Sequence, residues 1–330
     1  IGDIGMPSFM QSAIDLFNDE KLSIVSNVGP LREPTSLSMI DANPGILPPF
    51  IGSHNSQEAM WQAGIANPSE TTGWGARLVE ALHTPSPLIP SNISLNGTRR
   101  FLQGRRLNPY AIDPEYIPNL DRYVDWGNSA DLPARELFNQ LVATNGDNPF
   151  LGGFTNVVNS AMNNNQVLSK VLAGIDDSQV QYNTVSNNSF IENGLKQIVA
   201  QFKRAAQLIE SAPQLKQHRQ IIFIEMNGFD THDNQDVLFP DMIRAVFDSM
   251  KTFQADLETR GVDDRVVTFT QSEFGRTITI NSNGTDHGWG GHQFVMGTPV
   301  NGGQVIGELP EYEIGSRDVY QNMFIPQYSV

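Results

Sequence analysis

The chain has 330 residues, of which 39% are hydrophobic, and it carries a formal net charge of -15 with no cysteine. It is long enough for one large domain or two ordinary ones, and the missing thiols exclude disulfides and leave His, Asp and Glu as the metal ligands. The acidity argues against nucleic acid or an anionic membrane surface as the main partner, and no apolar run approaches the roughly eighteen residues that span a bilayer.

In chain order, Phe9, Met10, Ala13, Ile14 and Phe17 follow Pro7 at helical spacing. Residues 22–26 read as a strand, ended by Asn27-Val28-Gly29-Pro30. The Pro-rich, polar stretch 31–50 is expected to be a long surface excursion. Short helices are expected through Glu58, Ala59, Trp61 and Gln62, and from Gly73-Trp74-Gly75 through Arg77, Leu78, Ala81 and Leu82. Periodicity is weak from about 85 to 150, with 93–95 as a short strand, and this part is read as an insertion or cap over the main sheet. Helices are expected at 154–172 and 190–209. The second carries Ile191, Leu195, Ile198, Val199, Phe202, Ala206 and Ile209 on one stripe and should pack on a sheet. Residues 221–226 and 265–270 are short apolar runs of the kind buried in parallel sheets, with a helix at 242–257 between them. Strand, helix, strand is the α/β pattern. Such sheets gather functional groups outside the carboxyl ends of their strands, where both polar loops following these runs begin.

Four stretches carry residues suited to chemistry. In Asn283 to His292, Asp286 and His287 sit side by side and His292 follows, among glycines that let a backbone turn several ligands inward; the alternative is a surface turn. In Gly228-Phe229-Asp230-Thr231-His232, an extended segment would turn Asp230 and His232 to one side and one ion; the alternative is a solvated loop. Glu273 is a further candidate ligand, and Arg276 offers a planar fork for an oxyanion such as phosphate or sulfate; the alternative is an ion pair between the two. Ser53, beside His54, is a candidate nucleophile or anion contact, or simply the cap of a helix. Convergence of Asp230, Glu273 and Asp286 would be costly without a counter-charge, which a divalent cation supplies. One ion acidifies water, whereas two ions about 4 Å apart clamp the attacking and leaving oxygens.

On these residues the chain resembles the bacterial domain-of-unknown-function 1501 family. The resemblance is carried by Gly-Phe-Asp-Thr-His-Asp-Asn-Gln at 228–235, Thr-Gln-Ser-Glu-Phe-Gly-Arg-Thr at 270–277 and Gly-Thr-Asp-His-Gly-Trp-Gly-Gly-His at 284–292. Ser53-His54, Trp61-Gln62 and Gly73-Trp74-Gly75 fit as well. It covers most of the chain and is weakest from about 100 to 215. The resemblance implies membership of the alkaline phosphatase and sulfatase superfamily. That means a three-layer α/β/α sandwich with a mostly parallel sheet, as one domain over 1–330, which hydrolyses phosphate or sulfate esters at one or two divalent ions, zinc or calcium. Asp230, His232, Asp286 and His287 match its metal-ligand motifs, and Glu273 stands where Asp is more usual. Either Asp286-His287 is the superfamily's Asp-His pair, or Glu273 takes that part and His287 is the later histidine.

The resemblance also implies twin-arginine export to the periplasm or beyond. The chain opens at Ile1 without an initiator Met, so we expect a segment of a longer precursor, truncated at both ends, with a first strand and Gly-Gly-Asp-type loop before Ile1 and a last strand after Val330. The expected protein is an exported hydrolase of a small anionic ester, with Asp230, His232, Glu273, Asp286, His287 and His292 at the metal. Arg276 would hold the oxyanion, and Ser53, beside His54, or water would attack. The alternative is a non-catalytic exported or surface-assembly protein that keeps the fold and a structural cation.

Overall fold

Helix α1 (Gln11–Asn18) buries Ala13, Leu16 and Phe17, and Glu20 at positive φ turns the chain into β1 (Leu22–Gly29). The computed structural model describes residues 5–82, 86–117, 132–143, 148–186 and 188–330. The stretch 31–50 is more than an excursion. Ser36 accepts the Met39 amide as an N-cap, and α2 (Leu37–Ala42) buries Ile40. Helices α3 (His54–Ala63) and α4 (Trp74–Leu82) follow where expected. Then come β2 (Asn92–Ser94), β3 (Tyr110–Ala111), α5 (Leu132–Ala143) and α6 (Pro149–Leu172). Helix α6 starts before its apolar periodicity does, because Asn148 caps it and Pro149 occupies its first turn. Of the expected cap, residues 85, 118–131 and 144–147 lie outside the described residues.

Helix α7 (Ser189–Glu210) turns its predicted stripe inward. It packs on the helix after β4 (Ile221–Phe223), α8 (Gln235–Thr259), with the Phe202 and Phe253 rings 5.0 Å apart. The core formed by α1, α7 and α8 also takes in Leu22, Ile24 and Ile93 from the strands. The remaining strands are β5 (Thr268–Phe269), β6 (Arg276–Ile280), β7 (Thr285–His287), β8 (Gly291–Met296), β9 (Val305–Ile306), β10 (Val319–Tyr320), β11 (Met323–Phe324) and β12 (Tyr328–Ser329). Among the described residues no helix is long and apolar enough to cross a membrane.

The chain is of the α/β class, but its largest sheet is mixed rather than mostly parallel. Its order is β12-β1-β8-β5 with β9 also on β1. Strand β1 runs parallel to β12 and β9 but antiparallel to β8, which pairs antiparallel with β5. A second sheet, β3-β2-β4, is parallel throughout. Strands β4 and β5 therefore do not form the simple strand-helix-strand unit that their sequence suggests. The Thr270 hydroxyl beyond β5 accepts the Phe294 amide at 2.9 Å, which commits that strand to β8. Two of the loops carrying candidate ligands do leave the carboxyl ends of β4 and β5.

A smaller cluster of Leu31, Ile40, Ile46, Trp289 and Ile325 anchors the glycine-rich segment after β7. Trp289 is fully buried, and its indole N–H donates to the Pro30 carbonyl at 2.9 Å. Trp289→Phe should leave that carbonyl unpaired and cost about 1–3 kcal/mol, read as a lower urea midpoint with an unchanged slope.

Candidate metal centre

His54 is the first residue of α3. The chain enters that helix through Phe50 and Gly52 at positive φ, a turn that aims the Gly52 carbonyl at His287. Asp230 and His232 lie beyond β4, but not in an extended segment. The Thr231 amide bonds the Phe229 carbonyl at 2.9 Å and the His232 amide bonds the Asp230 carbonyl at 3.1 Å, which makes two consecutive tight turns. Glu273 occupies the loop after β5. His287 is in strand β7, whose β6 partner in register is Arg276.

These elements bring the side chains to one focus. The ligating atoms of His54, Asp230 and His287 all lie within 4.8 Å of one another. Asp230 Oδ1 is 2.9 Å from both His287 Nε2 and His232 Nε2, and Oδ2 is 3.1 Å from His54 Nε2. The two imidazole nitrogens His232 Nε2 and His287 Nε2 are themselves only 2.8 Å apart. Each ring is held from its other nitrogen: His54 Nδ1 lies 2.6 Å from Glu273 Oε1, His287 Nδ1 lies 2.6 Å from the Gly52 carbonyl, and His232 Nδ1 is 3.4 Å from Asp286 Oδ1. Phe274 stacks on His287 at 4.2 Å between centroids. Solvent reaches the site, since the side chains of His54 and His232 are 42% exposed while His287 is 17% exposed.

The donor and acceptor inventory of this cluster does not close with neutral side chains. A carbonyl only accepts, so His287 Nδ1 carries a proton and its neutral Nε2 is a lone pair. That lone pair faces a carboxylate oxygen and a second imidazole nitrogen. Extra protons or a cation must sit among them. Burial works against the Asp230 carboxylate, but the bonds from Arg276 and His287 and the charge of His232 outweigh it and hold the carboxyl down at about 2. Burial likewise works against a charged His54, yet its bonds to Glu273 and Asp230 raise its pKa.

The signs of the two effects are opposite. In metal-free protein Asp230 contributes stability above its ordinary value of 3.8 and loses it as pH falls toward about 2. His54 contributes below its ordinary 6.5 and loses that contribution as pH rises through its raised value. Carboxyl chemical shifts of the metal-free protein should therefore give Asp230 a midpoint of about 2, and a midpoint at 3.8 or above would contradict this packing.

Not every residue expected as a ligand joins this cluster. His292 is the clearest departure. Between His287 and His292 the chain passes from the β6–β7 hairpin into β8 of the large sheet, where a Cβ at Gly290 would lie 2.0 Å from Asn27 Oδ1. His292 Nδ1 there accepts the Asn27 amide at 3.3 Å, and its Nε2 is 3.2 Å from the Tyr312 hydroxyl. Asp286 alternates with His287 along β7, so it faces the other side, takes the Asn281 amide and reaches only the back of His232. Glu273 stands behind His54. Arg276 is committed to the Thr285 and Phe229 carbonyls and to Asp230 Oδ1, at 2.9, 2.7 and 2.8 Å, rather than presented as an open fork. Ser53 caps α3 by position but makes no side-chain cap bond, and its side chain is exposed. Sequence reasoning missed the Gly52 carbonyl and the Phe274 ring, and it set His54 among the catalytic residues beside Ser53 rather than among the ligands. The one signal available was a histidine following a glycine turn at a helix start.

The chain matches, over residues 35–326, the model of a family described as a protein of unknown function, DUF1501. No curated protein and no solved structure matches it.

Proposed function

The chain belongs to the DUF1501 family, and since that membership supplies no activity we propose a function from the site itself: a metal-dependent hydrolase, acting outside the cytoplasm on phosphate or sulfate esters, with an alkaline-phosphatase-like arrangement. The observation that carries the reading is the convergence of His54, His287 and Asp230, whose ligating atoms all lie within 4.8 Å of one another, with His232 Nε2 2.8 Å from His287 Nε2. His54, His287 and Asp230 would hold the ion, and His232 stands beside the last two. Imidazole nitrogens with one carboxylate suit zinc or a similar ion far better than calcium, which takes six to eight oxygens.

When bound, the ion polarises an ester oxygen and acidifies water. The residues do the rest. Asp230 balances the ion's charge, the Nδ1 partners fix each ring, and the exposed Ser53 hydroxyl between Gly52 and His54 is free of capping duty. Because Arg276 is already bonded three times, the substrate oxyanion depends on the ion more than on a guanidinium. That observation also favours a second reading, a cation-holding protein without turnover.

Metal analysis with a panel of chromogenic phosphate and sulfate esters separates the two. We expect one zinc per chain and ester turnover that chelation removes and zinc restores, with His287→Ala losing both metal and turnover. Bound metal without turnover of any ester would leave only the second reading, and no bound metal would sink both.

A further inference from the structure

We propose that Glu273 is a positioning residue that holds His54 in the tautomer needed to ligate the ion, and is not itself a ligand; this rests on the metal-centre reading above. The short contact from Glu273 Oε1 to His54 Nδ1, 2.6 Å, lies on one side of the ring, and Asp230 Oδ2 lies 3.1 Å from Nε2 on the other. First-shell bonds are about 2 Å long, so an oxygen behind Nδ1 is out of reach of an ion seated against Nε2 and Asp230. An ionised carboxylate accepts and cannot donate. The proton therefore sits on Nδ1, and with an ion in place of the Nε2 proton that faces Asp230 Oδ2 the ring would present its Nε2 lone pair to the centre. A carboxylate behind a ligating imidazole fixes its orientation and raises its basicity.

Glu273 is also placed firmly. Two residues before it, Gln271 Nε2 donates to the Trp61 carbonyl of α3 at 2.8 Å, tying this loop to the helix that carries His54. Two residues after it, the Gly275 carbonyl accepts the Gly288 amide at 2.7 Å, and a Cβ on Gly275 would stand 2.0 Å from the Gly290 carbonyl oxygen. Between them the Phe274 ring sits 4.9 Å from the His54 ring. The loop is thus clamped to α3, which supplies His54, and to the segment that follows His287. The three rings differ in what backs them: a neutral carbonyl for His287, a longer 3.4 Å contact for His232, and only for His54 a short charge-assisted bond.

Cobalt(II) titration of the full chain, followed by its visible ligand-field band and by chelator competition, tests this. Glu273→Ala should lower affinity by about 10–100-fold while the band keeps its native position and intensity, because the ligand set is intact. Glu273→Gln, whose amide oxygen accepts the same proton, should recover most of the affinity, whereas His54→Ala should change the band. Thermal unfolding of each variant separates loss of fold from loss of metal. A changed band in Glu273→Ala would make Glu273 a ligand, and native affinity in that variant would make it idle; either overturns the proposal while leaving the metal centre standing. If the native protein takes up no cobalt, the metal-centre reading itself falls.

Discussion

Asp230→Asn should lower zinc affinity by more than about 100-fold, equivalent to about 2.7 kcal/mol or more of binding free energy. Asp230 is the one residue that meets every imidazole of the cluster, through Oδ1 to His232 and His287 and through Oδ2 to His54. Asparagine preserves its volume and removes its charge, so the ion would face neutral rings with no anion among its ligands. Partners behind a ligand cost about 10–100-fold when removed, and a direct ligand should cost at least as much. Competition against a chelator of known affinity measures the effect. The same substitution strips Arg276 of the carboxylate it meets at 2.8 Å, although the carbonyls of Thr285 and Phe229 still hold the guanidinium. The metal-free protein should therefore lose far less than the metal-bound one. Zinc binding unchanged in Asp230→Asn would place the ion elsewhere or nowhere.

The second large effect is expected at a residue with no functional group. Gly284 closes the β6–β7 hairpin against the loop that bears Asp230. A Cβ there would stand 2.3 Å from both the carbonyl carbon and oxygen of His232 and 2.6 Å from the Thr231 carbonyl oxygen. These are backbone atoms, which cannot rotate away as a side chain would. The two segments are also stitched together, by the Gln235 amide to the Asn283 carbonyl at 3.1 Å and the Thr285 hydroxyl to Gln235 Oε1 at 2.7 Å. Overpacking in a tight core costs about 1–3 kcal/mol and occasionally more; Gly284→Ala should reach the top of that range and separate His232 from His287, reducing metal affinity as well. Gly152→Ala is the control. It lies in α6 with nothing within 4 Å of an added Cβ, so helix propensity alone should stabilise the protein by up to about 1 kcal/mol. Urea unfolding of both variants gives the comparison, and equal midpoints would show that the two loops are not packed as described.

Much of the secondary structure was legible locally. The stripe from Ile191 to Ala206 gave α7 its inward face, and Pro7 to Phe17 gave the first helix, because each pattern repeats within a few turns. What local patterns misjudged was pairing. Nothing in residues 265–270 reveals that β5 joins β8 rather than β4, since that depends on which strand is free to accept its hydrogen bonds.

For the site, composition and motif alone determined that any metal would be held by nitrogen and oxygen, and they set Asp230, His232, Glu273, Asp286, His287 and His292 as ligands with Ser53, His54 and Arg276 as the catalytic residues. Only the tertiary structure decided that His54 comes forward, that Glu273 stands behind it 219 positions away in sequence, and that His292 turns to Asn27 and Tyr312. The physical reason is the short range of the forces involved. A ligand bond or a hydrogen bond acts over 2–3 Å or so, whereas a motif places its side chains only relative to their own backbone. Which motifs meet is set by turns such as Gly52 and by close backbone packing such as that of Gly284 on His232.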